Sequence, residues 1–478
     1  MLPNTSRGGS RVLAAGLAAA AAALGVAIFW GFTVDDAWIT ARVAWRIASG
    51  LGYRFNSTGP PVDAVTPLGW VYALVPFAGH SPAGALRFAR YSGAIAWILA
   101  AAWLGSRARR AGKNPYYAIG LFAAAPLGAW SSAGMETGLV IALCTLALGE
   151  SLGACLAAAV AAALRPELIP FCSILALRRI EPKKNTWVDN CTPLLVTLAF
   201  PIGVAIIRNF AFGRCMPLSA LAKPSDVMHG LRYGLGVLLF LGPTWLWLGP
   251  GFKALNRQER VTALSVVVHL LTIVMVGGDW MPLWRLALPA MPAALWVSIC
   301  LQTSRRPIIN ILGTSVAMWV VVYVGIQVGL PGRHVSAARA ALIDEARPLL
   351  HGSKRVAALD IGWLGAAYPG DIVDLAGITD PRIALLPGGH TSKRFQNSWF
   401  DSTEPDTLVL LTAPGESIRR PWVETEFARD VENRIKSLPY WQDCSIRGQL
   451  ALPYTSQVYA IIRCQLRVSM SGGTNLTR

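Results

Sequence analysis

Two adjacent carboxylates, Asp35 and Asp36, are the residues of this sequence with the clearest potential for chemistry. They follow an apolar stretch at residues 12–32, which is long enough to cross a bilayer. An ionisable group at membrane depth is costly, which favours a functional role. One acid of such a pair suits a general base that takes a proton from a hydroxyl, while the other tunes its pKa or binds substrate. In a structural alternative, Asp36 only caps the following helix.

Further charged residues interrupt apolar stretches later in the chain. Arg165 could clamp a phosphate with its guanidinium, or it could simply pair with Glu167 across the helix break at the intervening proline. Lys223, at the end of the loop 208–223, could neutralise a phosphate or remain a solvated lysine. Glu136 closes another loop, at residues 131–136.

An acid beside an indole, Asp279-Trp280, is suited to holding a sugar, although Trp280 could equally be an interfacial anchor. The six histidines are scattered, and no His, Cys or Asp cluster has metal-ligand spacing. The predicted chemistry therefore rests on carboxylates and cations. Cys444 and Cys464 lie in what look like neighbouring strands, where an oxidising compartment would permit a disulfide.

The composition predicts a membrane protein, because 54% of the residues are hydrophobic and only 14% are charged. Span lengths predict about eleven transmembrane helices. They lie near residues 12–32, 86–104, 116–130, 138–149, 152–164, 168–177, 192–207, 231–249, 261–276, 284–301 and 308–329.

The net charge of +17 is explained by basic clusters in alternate gaps between these helices. The clusters are Arg7 and Arg11; Arg107, Arg109, Arg110 and Lys113; Arg178, Arg179, Lys183 and Lys184; Lys253, Arg257 and Arg260; and Arg305 and Arg306. The positive-inside rule places them, and the N-terminus, in the cytoplasm. The acids, glycines and prolines of the other gaps then face outward and predict one extracytoplasmic site. Because the basic residues flank membrane spans, nucleic-acid binding is not predicted.

The chain divides into a predicted membrane domain, residues 1–330, and a more polar tail, residues 331–478. A helix at 338–350 and strands at 355–360, 371–375, 407–411 and 457–463 predict a small extracytoplasmic α/β domain. Residues 361–365 are predicted to form a glycine-rich turn. A nucleotide site is not predicted there, since the glycines lack the phosphate-binding spacing and no helix start is expected in the right register.

Several segments, in this order, resemble a known enzyme family. They are residues 33–40, 41–56 and 62–70, the sequence SAGMET at 132–137, RPE at 165–167, GGDWMP at 277–282 with Arg285, and DLAGITD at 374–380. Together they are similar to the polyprenyl-phosphate-dependent glycosyltransferases of the membrane-embedded GT-C fold. Within that group the chain is most like the arabinofuranosyltransferases that add terminal arabinofuranose in mycobacterial cell-wall synthesis.

The resemblance implies an enzyme of a bacterial inner membrane that takes a sugar from a polyprenyl-phosphate donor by inverting displacement. It implies Asp35 as the base, with Asp36 as second choice, and Arg165 and Lys223 as ligands of the donor phosphate. The residues implied for sugar or acceptor binding are Glu136, Asp279, Trp280 and Arg285. No cofactor or metal site is implied, and the role of a divalent cation is left open.

Two departures from the family leave the acceptor open. Residues 63–67 differ from the usual acidic-Gly-Tyr-Thr-Ser run, and the tail is shorter than in the mycobacterial wall enzymes. The acceptor could be a pilin, a surface polysaccharide or a lipid glycan. Two other classes remain: a transporter or flippase of lipid-linked sugars, and a non-catalytic glycan-binding assembly protein. A transporter predicts charges along a membrane path and internal repeats, whereas the acids here lie on one predicted side.

Overall fold

The computed structural model describes residues 5–116, 119–180, 186–241, 251–301, 307–441 and 443–464. It is mostly helical, with 64% helix and a small sheet. Contacts divide the chain into two units. The helical unit comprises Met1–Phe55 and Pro61–Ala337, and the sheet unit comprises Asn56–Pro60 and Ala338–Arg478. The domain boundary was predicted after residue 330; by contacts it falls after Ala337, and the short segment Asn56–Pro60 groups with the tail.

The α-helices of the helical unit vary widely in length. They are α1 (Thr5–Ile28), α2 (Asp35–Ala48), α3 (Leu68–Ala78), α4 (Pro82–Arg110), α5 (Ile119–Phe122), α6 (Ala125–Ser131), α7 (Thr137–Leu146), α8 (Leu152–Leu164), α9 (Ile169–Ala176), α10 (Trp187–Phe212), α11 (Leu218–Ala222), α12 (Val227–Leu241), α13 (Arg257–Met275), α14 (Met291–Leu301), α15 (Pro307–Val324) and α16 (Leu330–Gly332). Single 3₁₀ turns cover Pro166–Leu168, Leu177–Arg179 and Phe252–Ala254, a longer 3₁₀ helix covers Arg285–Ala290, and a π-helix covers Gly325–Gly329.

Within the described ranges, four helical stretches are long and apolar enough to cross a membrane. They are Gly9–Ile28, Trp187–Phe212, Arg257–Met275 and Ser315–Leu350. The shorter apolar helices of the described ranges have 10–17 residues, which is less than a typical span requires. Four helices of spanning length are consistent with a membrane protein.

The structure corrects several predicted elements. The helix predicted at 116–130 is two short helices, α5 and α6, and the one at 284–301 begins as a 3₁₀ helix because Pro289 and the left-handed Trp284 disfavour an α-helical start. Helix α3 was not predicted; it contains Pro76, which disfavours a helix interior. The end of the helix predicted at 231–249 lies outside the described residues, as do the basic residues Lys183, Lys184, Arg305 and Arg306.

Small residues allow the helices that carry the site to approach closely. A Cβ atom on Gly138 of α7 would come within 2.7 Å of the carbonyl oxygen of Gly93 in α4, so only glycine fits there. Ala14, Ala18 and Ala22 form a fully buried stripe along α1, which packs against α4. Such small-residue contacts are typical of helix packing in membranes. They fix the position of the loop that precedes α7.

The sheet unit contains a five-stranded mixed sheet in the order β2-β1-β3-β5-β4. Its strands are β1 (Arg355–Ala358), β2 (Asp371–Asp374), β3 (Thr407–Leu411), β4 (Cys444–Ala451) and β5 (Val458–Cys464). Its helices are α17 (Val335–Leu350, which begins before the boundary), α18 (Ile361–Ala367), α19 (Pro381–Ala384), α20 (Asn397–Thr403) and α21 (Asp430–Lys436). Single 3₁₀ turns lie at Trp422–Glu424 and Pro439–Trp441. Strands β2, β1 and β3 are parallel, while β5 and β4 pair antiparallel. Cys444 lies opposite Cys464 in that register, and the two form a disulfide.

The predicted glycine-rich turn at 361–365 is wrong. Residues Ile361–Ala367 form the helix α18 directly after the strand β1. Trp363 and Leu364 are fully buried, so tertiary packing outweighs the low helix propensity of the two glycines.

The segment Asn56–Pro60 is hydrogen-bonded to the strand β2. The Asn56 side chain donates to the Ile372 carbonyl and accepts from the Ile372 amide, both at 2.9 Å. Asp371 accepts hydrogen bonds from the Ser57 amide at 2.8 Å and the Ser57 hydroxyl at 2.6 Å, and also from Thr58. The segment is therefore an integral part of the sheet unit.

Candidate active site

Asp35 and Asp36 occupy the first turn of α2, after an extended Val34 at the N-cap position. The alternative that Asp36 caps this helix is therefore wrong, since Val34 holds that position without a side-chain cap. Acids in a first turn are favoured by the helix dipole. Asp36 Oδ2 lies 3.9 Å from Lys223 Nζ, and both side chains are a little over a quarter exposed. The site can thus present a carboxylate and an ammonium side by side to a ligand.

Lys223 follows directly after the short helix α11, not at the end of one long loop. Helix α10 extends through residues 208–212 of the predicted loop, and α11 occupies five more of its residues.

Arg165 forms a second ionic centre at the end of α8. Its backbone is extended, which ends the helix before the 3₁₀ turn Pro166–Leu168. Arg165 Nε lies 2.8 Å from Glu136 Oε1, and Arg165 Nη1 lies 3.3 Å from Glu167 Oε1. The structural alternative of an Arg165–Glu167 pair is thus present, and Glu136 is added to it.

Glu136 is fully buried, yet neither of its carboxylate oxygens has a hydrogen-bond partner in the described part of the chain. The contact with Arg165 is close in distance, but its alignment is not that of a hydrogen bond. A buried acceptor without a hydrogen bond is costly. The arrangement therefore leaves lone pairs that a ligand hydroxyl could satisfy.

The third centre is the loop Gly277–Trp284. Gly277 has φ 90° and Gly278 has φ 71°, and the non-glycine residue Trp284 has φ 51°. Positive φ is ordinary for glycine, but a bulky residue such as Trp284 stores strain there, and such residues are common at functional sites. The loop brings Asp279 Oδ2 within 2.7 Å of Arg285 Nε, which donates a hydrogen bond to it.

Arg285 connects these centres. Its guanidinium interacts electrostatically with Asp279, Asp36, Glu136 and Glu167. Together with Arg165 and Lys223 these residues form what we call the polar cluster: Asp36, Glu136, Arg165, Glu167, Lys223, Asp279 and Arg285. Its members come from five separate segments of the helical unit. The packing of Arg285 over the Trp130 ring, 5.5 Å from its centroid, and the hydrogen bond from Trp130 to the Pro282 carbonyl hold two of these segments together.

The structure does not bring Trp280 into this network of ion pairs. Its side chain is 61% exposed and stacks on the His229 ring at a centroid distance of 4.2 Å.

Several residues near the cluster were missed from the sequence. Arg208 and Asp63 form a buried ion pair at 2.9 Å, and Arg208 also donates to the carbonyls of Val65 and Thr66. Burial raises the pKa of Asp63, and Arg208 opposes that shift. The Thr66 hydroxyl lies 2.9 Å from that of Ser219 in α11. Arg208, an isolated arginine in the apolar stretch of α10, was the sequence feature that could have indicated this buried ion pair.

His269 was also missed. It is fully buried in α13, and its Nε2 pairs with the Leu286 carbonyl at 2.8 Å. It interacts electrostatically with Glu167 and Arg165. A single histidine in an apolar helix gives no sequence signal beyond its residue type.

DLAGITD, residues 374–380, has a structural role in the sheet unit. The Asp374 carboxylate accepts hydrogen bonds from the Ala376 amide at 2.9 Å, the Thr379 amide at 2.7 Å and the Thr379 hydroxyl at 3.1 Å. Burial raises the pKa of Asp374 to about 6, although these hydrogen bonds oppose the shift.

Comparisons with known proteins leave the family open. No protein-family model matches the chain, and neither a curated protein nor a solved structure matches it significantly. Among the residues that the structure describes, no group of three or more His, Cys, Asp or Glu side chains has the arrangement of a metal site. The function proposed for the polar cluster therefore rests on its own residues.

Proposed function

We propose that the chain is a membrane glycosyltransferase that moves a sugar from a polyprenyl-phosphate donor to a hydroxyl of a cell-surface glycan or protein. The observation that carries the proposal is the polar cluster. Arg285 interacts electrostatically with carboxylates from four segments, and two of these carboxylates also pair with other cations, Asp36 with Lys223 and Glu136 with the buried Arg165. Charged groups gathered from distant segments among apolar helices are costly, which favours a functional reason for them.

Lys223 is the better candidate for the donor phosphate. It faces one carboxylate, that of Asp36, at 3.9 Å and is partly exposed. Arg165 faces two carboxylates, those of Glu136 and Glu167, so its charge is already offset. In this proposal Arg165 positions Glu136, and the free lone pairs of Glu136 accept hydrogen bonds from sugar hydroxyls.

The reaction needs one proton transfer. The acceptor hydroxyl oxygen attacks the anomeric carbon of the donor, and its proton passes to Asp35 or Asp36. The bond between the anomeric carbon and the phosphate oxygen breaks, and its electron pair leaves with the polyprenyl phosphate. Because that phosphate leaves as a stable anion, no general acid is required. Lys223 would stabilise the charge that develops on it.

The resemblance to GT-C glycosyltransferases supplies the finer features of the proposal. These are about eleven spans, an extracytoplasmic sheet unit, an inner membrane location, an inverting outcome and arabinofuranose as the sugar. Trp280, which is largely exposed and follows Asp279 in the chain, would stack on the sugar or on the acceptor.

The proposal is tested with purified wild-type protein in liposomes. Synthetic polyprenyl-phosphoryl arabinofuranose and, in parallel, other pentose and hexose donors are supplied with a short glycan acceptor. Mass spectrometry reads the product. Transfer of arabinofuranose supports the full proposal. Transfer of another sugar alone keeps the glycosyltransferase and excludes arabinofuranose as the transferred sugar. If no donor gives product while a labelled lipid-linked sugar changes leaflet, the protein is a flippase instead.

A further inference from the structure

A cavity of about 530 Å³ lies in the helical unit and shares no residue with the polar cluster. It is lined by the end of α4, the start of α13, the helix α14, Glu150 and Arg178. Cavities of this size commonly hold small ligands. Nothing in the proposed transfer reaction uses it.

The described lining carries more positive than negative charge. Arg107, Arg110, Lys113 and Arg178 are its cations, and Glu150 and Glu259 are its acids. Four cations against two acids leave an excess of two positive charges. Such an excess favours an anion with about two negative charges.

Glu259 is already engaged. It lies 3.2 Å from Lys113 Nζ and accepts a hydrogen bond from the Asn256 amide at 3.0 Å, which completes the capping box of α13. It therefore offsets the charge of Lys113, and Glu150 is the other acid that the described lining sets against its three arginines.

Arg178 is the most informative residue of this lining. Its side chain is only 3% exposed, and its Nη1 donates to the Leu148 carbonyl at 2.6 Å. Its Nε has no hydrogen-bond partner anywhere in the ranges that the structure describes. A buried guanidinium donor without a partner is costly, and an oxygen of a phosphate is the acceptor that fits its planar geometry.

Arg107 is the second arginine of the lining that the proposal uses. Its guanidinium lies between the rings of Trp103, at 5.3 Å, and Trp296, at 5.2 Å. Its Nη2 lies 3.3 Å from Glu150, which is mostly exposed. Arg178 is repelled by Arg107 and Arg179. An anion between Arg107 and Arg178 would relieve that repulsion.

We propose that this cavity binds a phosphate-bearing anion between Arg178 and Arg107, either the head group of an anionic lipid or a free phosphate compound. All four cations belong to clusters that flank apolar helices on the predicted cytoplasmic side. Basic pockets between helices on that side are suited to anionic head groups.

Native mass spectrometry of the full chain in a neutral detergent tests the proposal. The probes are cardiolipin, phosphatidylcholine as the zwitterionic control, and inorganic pyrophosphate. Retention of cardiolipin that pyrophosphate does not displace identifies a lipid head group. Displacement by pyrophosphate, or binding of pyrophosphate alone, identifies a free phosphate compound. If neither anion binds better than phosphatidylcholine, the proposal is overturned.

Variants locate the binding. Arg178→Gln and, separately, Arg107→Gln are each expected to weaken binding roughly tenfold or more, since each removes a charge-assisted partner of the phosphate. Arg11→Gln makes the same change of charge at an exposed position of α1 and is expected to leave binding unchanged. The second cavity variant keeps the test decisive if Arg178→Gln fails to fold. Equal weakening by all three variants, or by none, would overturn the proposed location.

Discussion

Two buried carboxylates, one in each unit, differ in their hydrogen bonding. Asp374 of the sheet unit is 1% exposed and accepts three hydrogen bonds from its own loop. Glu136 of the helical unit is fully buried and has an ion pair but no aligned hydrogen bond within the described structure. The first arrangement is complete without a ligand, and the second is not. The difference fits a stabilising role for Asp374 and supports the binding role proposed for Glu136.

Replacement of the incomplete carboxylate gives the largest expected effect on activity. Glu136→Gln is expected to lower kcat/KM for sugar transfer about 100-fold, in the range for loss of one oriented polar group at a reacting centre. Its effect on stability should be small, because Glu136 loses no aligned hydrogen bond and Arg165 keeps Glu167 as a partner. Rate measurements in liposomes and thermal unfolding in detergent check both parts. If the variant unfolds at the temperature at which the wild type is assayed, Glu136 is needed for stability and the expected difference from Asp374 is wrong.

Replacement of the complete carboxylate should have the reverse outcome. Asp374→Ala leaves two backbone amides and a hydroxyl without their acceptor, which is expected to cost about 3 kcal/mol of unfolding free energy. Thermal unfolding of the full chain measures this as a lower midpoint. Activity per folded molecule should be close to that of the wild type. A folded, stable and inactive variant would assign Asp374 to the chemistry instead.

Lys223 is a cation of the polar cluster for which we also expect a role in binding and little contribution to stability. Its pair with Asp36 is partly exposed and 3.9 Å long, and such pairs contribute only about 0–1 kcal/mol to stability. Lys223→Gln should therefore leave thermal unfolding unchanged while the KM for the donor rises roughly tenfold, since one phosphate contact is lost. Arg382→Gln, which removes an exposed partner of Asp380 in the sheet unit, is the matched control. Equal KM values in both variants would exclude Lys223 as a phosphate ligand.

The smallest expected effect concerns pH and the sheet unit. Burial raises the pKa of Glu432 to about 7, against the opposing effect of Arg429. A raised pKa means that the folded state keeps its proton longer, so this contribution to stability is complete below the unfolded pKa of about 4.3 and is lost as pH rises through 7. Glu432→Gln should therefore flatten the fall of the unfolding midpoint between pH 5 and 8 by a few degrees. An unchanged slope would contradict the assignment.

The sequence predicted elements best where the local signal was complete. Helix α8 was predicted with its observed bounds, as was the strand β3. Helix α3, which contains Pro76, was missed, and α18 was missed because two glycines lower the helix propensity of a segment that packing around Trp363 stabilises. The disulfide between Cys444 and Cys464 required the antiparallel register of β4 and β5, which spacing alone does not provide.

The site residues were accessible from the sequence as isolated charges, but of their partners only Glu167, two residues from Arg165, was considered. Asp36, Glu136, Arg165 and Asp279 stand out because they interrupt apolar or glycine-rich segments. Which of the distant residues pair depends on helix packing between segments far apart in the chain, as in the hydrogen bond from Thr33 to the Ala133 carbonyl, 100 residues away. For that reason the pair of Asp63 with Arg208 was not predicted.

The central claim is that a carboxylate in the first turn of α2 removes the proton of the acceptor. The most direct test compares sugar transfer by wild type, Asp35→Asn, Asp36→Asn and the control Asp344→Asn, whose carboxylate is 71% exposed in α17. Product is quantified by mass spectrometry in liposomes. The account predicts that the control matches wild type and that the variant lacking the base loses about 10²–10⁴-fold in rate. Wild-type rates for both α2 variants would contradict it.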